Sequence, residues 1–316
     1  MNYMLNFEIS QNPPSNWNKF FLDVGYGIFS QTVEYSKYVE KWIGWEPFFV
    51  QIMDNDDHVL LQNLIFRYNP GISKVPSVAQ KFYKKFKKSY RWTYGPISLN
   101  ENAIIAFFEY FKNTKKHIHG TTHPLLFSPK LQNMEKWSTS LIDLRNSKEV
   151  LEQNLDKHSC KKNIKRSIER HVKVENISKK NFVDYFELLS TFRKETEHVE
   201  PNYEELKDFW ELLQPIGFDG FLAYKDEIPV GGLTFGYFNN HIIEVGVARS
   251  KIDYTEKLYS QDLIKWKIIE WGVDHKMNYF DLAGYNPDPQ NTKEMGIKKY
   301  KEKWGGKHFD YWLVRN

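Results

Sequence analysis

Two stretches of this chain carry residue types able to handle a charged, phosphate-bearing substrate. The first is Lys161–Lys173, KKNIKRSIERHVK, in which Lys162, Arg166 and Arg170 fall at i, i+4 and i+8. On a helix that spacing makes one cationic stripe, which only Glu169 offsets locally, while Ile164 and Ile168 are left to dock elsewhere. A guanidinium grips phosphate through two parallel N–H donors, whereas a lysine ammonium supplies a point charge. The competing reading is a solvated charged face. The second stretch is Asn278–Gly306, NYFDLAGYNPDPQNTKEMGIKKYKEKWGG. A short strand reaches Asp281, a Gly/Pro/Asn-rich loop follows, and a lysine-studded segment stops at Trp304-Gly305-Gly306. Asp281 would stand at the carboxyl end of an inner strand, where α/β sheets present functional groups. Its plainer use would be to cap the following loop.

Glu244 interrupts the apolar strand His241–Val247, HIIEVGV. Burial there would raise its pKa toward the range of a general base, although strand alternation equally allows it to face outward. Backbone amides near Val245-Gly246 are candidate donors to an oxyanion. Between that strand and the next helix, Arg249–Lys257 contains no glycine. Without glycine the backbone forms a tight anion cradle poorly, so the pyrophosphate of coenzyme A is not expected to bind here. Tyr254 lies in this stretch and joins Lys162, Arg166 and Arg170 as a candidate substrate- or phosphate-binding residue. His117, His119 and His123 have no acidic or cysteine partner nearby and Pro124 redirects the chain, so no metal site is expected. A segment from Val78 to Lys88 interleaves aromatics with lysines. It reads as a helix with an aromatic core face and a wet lysine face, against an RNA- or lipid-contacting alternative.

The order and spacing of KKNIKR, FDLAG, a loop and GIKKYKEKWGG resembles the FemAB/FemX-type acyltransferases, whose pattern is a (K/R)N(I/V)RR helix followed by FDLGG, a loop and GIxxFKxxFGG. Here Ala283 replaces a glycine, and Tyr300 and Trp304 replace phenylalanines. The resemblance implies two tandem domains of the acetyltransferase (GNAT) fold, an α/β fold in the α+β sense. It implies Lys301 beside phosphate or developing charge, and Arg166 where arginine helps hold the diphosphate of the acceptor or the tRNA. Members transfer amino acids from aminoacyl-tRNA to the peptide of a cell-wall precursor, and they also lack the glycine-rich loop. The expected function is therefore a transferase moving an activated aminoacyl or acyl group onto a primary amine. Aminoacyl-tRNA is the expected donor substrate, with no bound cofactor, and a phosphate-bearing precursor is the expected acceptor. An acyl-CoA- or acyl-carrier-dependent N-acyltransferase acting on an amino sugar or surface glycan is the alternative, and a non-catalytic scaffold a second one. An acceptor amine with a pKa of ~10.4 must shed a proton. Asp281, Glu244 or a water chain would relieve it.

The rest of the chain must position these groups. Its 316 residues suit two domains, and 41% hydrophobic with 16% aromatic content provides material for two cores. A net charge of +4 argues against a dedicated nucleic-acid binder with a charged tail. The single cysteine, Cys160, excludes a disulfide framework. With no secretory signal and no run of ~20 apolar residues, the expected location is cytoplasmic, with peripheral contact at the inner membrane face allowed. The start through Trp17, with Pro13-Pro14, reads as loop, Gln31–Trp42 as a helix, and Phe48–Tyr68 as a hairpin about Asp54–Asp57. Glu101–Lys112 reads as a helix and Lys116–Thr121 as a strand. In the second half, Tyr203–Leu213 and Gln261–His275 read as helices. Phe218–Tyr237 reads as a hairpin about Asp226, and Tyr279–Leu282 as a strand. The helix–strand–acidic turn–strand unit thus occurs twice. The expected domains are residues 1–142 and 143–316, the second opening on a helix capped by Ser147 with Leu151 and Leu155 buried.

Overall fold

The computed structural model describes residues 5–69, 89–113, 117–130 and 134–315. The expected lysine–aromatic helix at 78–88 lies outside the described residues. The chain forms two compact units, one of residues through Ser138 together with Phe309–Asn316, the other Thr139–His308. The division thus falls a few residues before the expected one, and the last residues belong to the first unit.

In the first unit, β1 (Asn6–Ser10), α1 (Trp17–Val24) and α2 (Val33–Tyr38) lead into β2 (Glu46–Met53) and β3 (Val59–Tyr68), an antiparallel hairpin. β4 (Ser89–Trp92), α3 (Glu101–Asn113) and β5 (His117–Thr121) follow. The expected loop before Trp17 is partly wrong. Asn6–Ser10 pairs antiparallel with β2, an edge strand whose order comes from its partner rather than its own sequence. Likewise Gln31–Trp42 is not one helix: after α2 it widens into a π-helical turn at Val39–Ile43. On α3, Ile104, Phe107, Phe108 and Phe111 make one apolar stripe packed on Val50, Ile52, Leu61 and Trp92.

The second unit takes its first strand from the end of β6 (Met134–Asp143), then α4 (Lys148–Asn154), α5 (Cys160–Glu169), β7 (Lys173–Asn176), α6 (Phe182–Glu195) and α7 (Tyr203–Gly217). The hairpin β8 (Phe218–Lys225) and β9 (Ile228–Gly236) is followed by β10 (His241–Arg249), α8 (Lys251–Thr255) and α9 (Ser260–Asp274). β11 (Tyr279–Tyr285), α10 (Thr292–Glu302) and β12 (Lys307–Arg315) complete the chain, and β12 pairs antiparallel with β5 of the first unit from Leu313 to Arg315. The strand order of the second unit is β6-β11-β10-β9-β8-β7. The Ser147 hydroxyl accepts the Val150 amide, and Leu151 and Leu155 are buried. Helix α6 has no counterpart in the sequence reading, although its Phe182, Tyr185, Leu188 and Leu189 carry a helical stripe.

Two features of unit two shape its centre. β10 runs parallel to β11 and pairs with it only at His241↔Tyr279, Ile242↔Phe280 and Ile243↔Asp281. Beyond those positions the strands part. On its other side β10 bulges against β9 between Glu244 and Gly246, which adds local twist. The Trp304-Gly305-Gly306 corner then closes the core: Trp304 is buried among Leu155, Cys160 and Ile264 of the same cluster. Gly305 has φ +70° and a Cβ there would lie 2.6 Å from the Asn154 carbonyl.

This corner predicts opposite responses of two motif glycines. Gly305→Ala should destabilise the chain by about 1–3 kcal/mol, through a disfavoured φ and a backbone clash. Gly296→Ala, at an open position inside α10 with no atom within 4 Å, should stabilise by up to about 1 kcal/mol. Urea unfolding of both variants measures this, and equal effects would contradict the geometry.

Candidate functional site

The site grows from the point where β10 and β11 part. Asp281, the last residue of β11 paired with β10, is fully buried. Its Oδ1 accepts a hydrogen bond from the Thr139 hydroxyl and a 2.8 Å bond from the Ala283 amide. Its Oδ2 makes no hydrogen bond among the described residues and lies 3.7 Å from His241 Nε2. The carboxylate is therefore turned inward, onto the loop and β6. Ala283, the residue that replaces a glycine in the motif, has φ +64°. Holding an alanine in the left-handed region costs on the order of 1 kcal/mol, and the two bonds at Asp281 are what retain it, the Ala283 carbonyl at 3.0 Å sharing the single Thr139 hydroxyl proton.

That kink presents two carbonyls to Lys301. Its Nζ donates to Ala283 O at 2.7 Å and to Gly284 O at 2.9 Å, and it stands 5.9 Å from the Tyr285 ring centroid. Burial pushes the Lys301 ammonium down to about 8, with Glu244 and Asp281 opposing the shift and Lys265 adding to it. Because the folded pKa lies below the usual lysine value, the cost of holding this charge is present below about pH 8 and disappears as pH rises toward the unfolded value.

Glu244 stands at the β10 bulge and pairs with the buried Lys265 of α9, Nζ to Oε1 at 2.5 Å. Lys265 is 1% exposed and surrounded by Phe280, Tyr300 and Trp304, whose ring centroids lie 5.1–6.0 Å from Nζ. Neither of the two readings open in the sequence, a desolvated base or an outward-facing glutamate, describes Glu244, which is held in a largely buried ion pair. A second pair lies in the same region: Asp262 accepts from Lys303 Nζ at 2.6 Å and from Asn163 Nδ2 at 2.7 Å. Burial raises the Tyr300 hydroxyl pKa and, with Asp262 next in weight, pushes the Cys160 thiol up to about 12, so Cys160 is an inert thiol.

The cationic residues gather around Tyr259. Arg166 and Arg170 of the α5 segment lie 5.8 and 5.6 Å from its ring centroid. Arg166 Nη1 reaches the Tyr259 hydroxyl at 3.4 Å, and Arg170 Nη1 donates to the Lys257 carbonyl at 2.6 Å. Lys162 is exposed on the same helix. Ile164 docks as expected, but Ile168, in the last turn of the helix, is 57% exposed. Tyr254 is half exposed with the Arg249 guanidinium 3.4 Å from its ring centroid. Asp253, fully buried, takes the Arg249 Nε–H on one oxygen and the Ser260 amide, the first of α9, at 2.8 Å on the other. Among the described residues the three histidines form no metal-sized cluster. Asp54, Asp56 and His58 do come together, on an exposed turn in which Asp54 accepts the Asp56 and His58 amides.

Sequence reasoning missed Thr139, Asp253, Asp262, Lys265 and Lys303. One signal was present: Lys265 sits between Ile264 and Trp266 in a helix whose Leu263, Ile264, Ile268 and Ile269 leave no polar face for it. The Lys265–Glu244 pair predicts a coupled response. Lys265→Met, which strands a mostly buried carboxylate, should cost about 3 kcal/mol. The Lys265→Met/Glu244→Gln double variant should cost less than the two single losses together. Urea unfolding tests this, and strict additivity would mean the two groups do not interact.

No protein-family model matches this sequence, and no curated protein matches it. Among solved structures the chain is similar to the crystal structure of FemX, at 11% identity and a TM-score of 0.71, covering 98% of both chains. It is also similar to L-PGS from Bacillus licheniformis, at 12% identity and a TM-score of 0.58, over 98% of this chain and 94% of that one. A tandem GNAT protein from the clavulanic acid biosynthesis pathway matches at 10% identity and a TM-score of 0.51, over 99% and 98%. At such identities the likeness is one of fold, and the fold is the tandem GNAT architecture of the kind seen in FemX.

Proposed function

We propose that this chain is a transferase that moves an activated aminoacyl group from aminoacyl-tRNA onto the primary amine of a phosphate-bearing precursor peptide. The observation that carries the choice of donor is Asp253. In acetyl-CoA-dependent GNAT proteins the segment between this strand and the next helix holds the pyrophosphate with backbone amides. Here the Asp253 carboxylate, paired with Arg249, already takes the first amide of α9. A pyrophosphate at that helix end would have to displace the carboxylate from this amide, against its pairing with Arg249. The absence of glycine between Arg249 and Lys257 points the same way.

The remaining roles follow the geometry. Arg166 and Arg170, braced on Tyr259, and exposed Lys162 form the phosphate-binding face, while Tyr254 is stacked on Arg249. Backbone amides near Val245-Gly246, at the bulge beside the gap, are the donors suited to a developing oxyanion. Lys301 offsets the charge that builds up in acyl transfer. Asp281 acts through the loop it holds, as a positioning residue, and Glu244 through the ion pair that fixes the bulge. Among the described residues no helix is long and apolar enough to cross a membrane. The proposed setting is the cytoplasm, with peripheral contact at the inner membrane face.

Purified protein supplied separately with charged tRNA and with acetyl-CoA tests the donor. Consumption of charged tRNA, with calorimetry showing no tight coenzyme A complex, is the expected result. Low-micromolar acetyl-CoA affinity would transfer the proposal to an N-acyltransferase acting on an amino sugar or surface glycan. Arg166→Ala should lower kcat/KM by about 2 kcal/mol in transition-state stabilisation with little change in Tm. Unchanged activity would return the stripe to a solvated surface.

A further inference from the structure

An amine nitrogen has four tetrahedral positions, and in Lys301 the chain's own Cε takes one. Two more are taken by N–H groups donated to Ala283 O and Gly284 O. Both bonds survive whether the nitrogen is charged or neutral, because a neutral amine still carries two hydrogens. The fourth position holds either a third N–H or a lone pair, and among the described residues no carboxylate forms an ion pair with Lys301. We propose that Lys301 Nζ, in its neutral form, is the base that removes the proton from the attacking amine. The proposal rests on the transferase reading above and assigns its proton acceptor.

The neighbouring candidates are less suited. Asp281 is fully buried, with its carboxylate directed at Thr139 and the Ala283 amide. Glu244 is committed to Lys265. Lys301, in contrast, is anchored to the part of β11 that lies beyond its last pairing with β10, where the strands have separated. The groups facing it are Glu244 from β10, Lys265 from α9, and Asp281 and the Tyr285 ring from β11. On its own helix, Lys298 is tied to the Pro287 carbonyl. Burial and the Lys265 charge both favour the neutral form of Lys301. The two carboxylates keep that preference moderate, so both forms are populated near neutral pH.

The step balances within the site. The amine nitrogen bonds to the acyl carbon, and the carbonyl π pair moves onto oxygen. The proton on the now cationic nitrogen passes to Lys301. The resulting ammonium stands beside the oxyanion, which it stabilises. Collapse re-forms the carbonyl and breaks the bond to the donor, and the leaving oxygen takes the proton back from Lys301. The lysine ends as it began.

Two measurements on the full chain test this. Competitive labelling with acetic anhydride across about pH 6–11, read by peptide mass spectrometry, titrates Lys301 directly and needs no substrate. A midpoint near 8 is expected. A midpoint at or above the ordinary lysine value, or no labelling at any pH, overturns the proposal. Lys301→Arg keeps a positive charge that stays protonated throughout this range. If the lysine is the base, this variant should lose about 10²–10⁴-fold in kcat at unchanged Tm, and the wild-type limb that rises with pH should vanish. If Lys301→Arg retains a tenth or more of the activity, charge alone suffices and the base assignment fails. Absence of turnover with either charged tRNA or acetyl-CoA defeats the transferase reading and the proton step with it, while a labelling midpoint near 8 in that case would still report the nitrogen's environment.

Discussion

The hydrogen bonds from the Thr139 hydroxyl and the Ala283 amide to Asp281 hold β11 in a left-handed kink just where it leaves β10. Much of the site depends on that local constraint. The kink turns two successive carbonyls toward α10, and these carbonyls fix the head of Lys301. Without the carboxylate, an alanine at φ +64° would have little reason to remain there. The motif aspartate is therefore better understood as the clamp of a backbone conformation than as a group that meets substrate.

Behind the gap lies an unusual amount of buried charge for a domain core. Lys265 with Glu244, and Lys303 with Asp262, place two ion pairs among Phe280, Tyr300 and Trp304. Such pairs contribute little net stability compared with well-packed apolar residues, yet each is costly to break on one side. They tie β10, α9 and the end of α10 to one another. That arrangement resists sliding of one element past another more strictly than apolar contacts alone would, because a shifted ion pair leaves both charges unsatisfied.

What could be read from the sequence was what is local. The hairpins at Asp54–Asp57 and Asp226 announce themselves by alternation around an acidic turn, and Asp281, Lys301, Trp304 and Gly305 stand in one contiguous motif. What escaped was decided by partners distant in the chain. Asn6–Ser10 is a strand because β2 offers it an edge. Glu244 looked like a lone carboxylate because its lysine is 21 residues away on a different element. Asp253 looked like one more charged residue in a polar stretch. Its burial against Arg249 and its hold on the Ser260 amide follow only once α8 is folded back onto the start of α9.

The placement of the last strand bears on how this protein is made. Residues 309–315 complete the sheet edge of the first unit beside β5, yet they leave the ribosome after the whole of the second unit. The first unit must therefore wait with β5 lacking that partner while 170 further residues, Thr139–His308, are synthesised and begin to fold. An exposed strand edge of this kind invites pairing with other chains. Synthesis in chain order thus leaves the first unit with an open edge at β5 until residues 309–315 reach it.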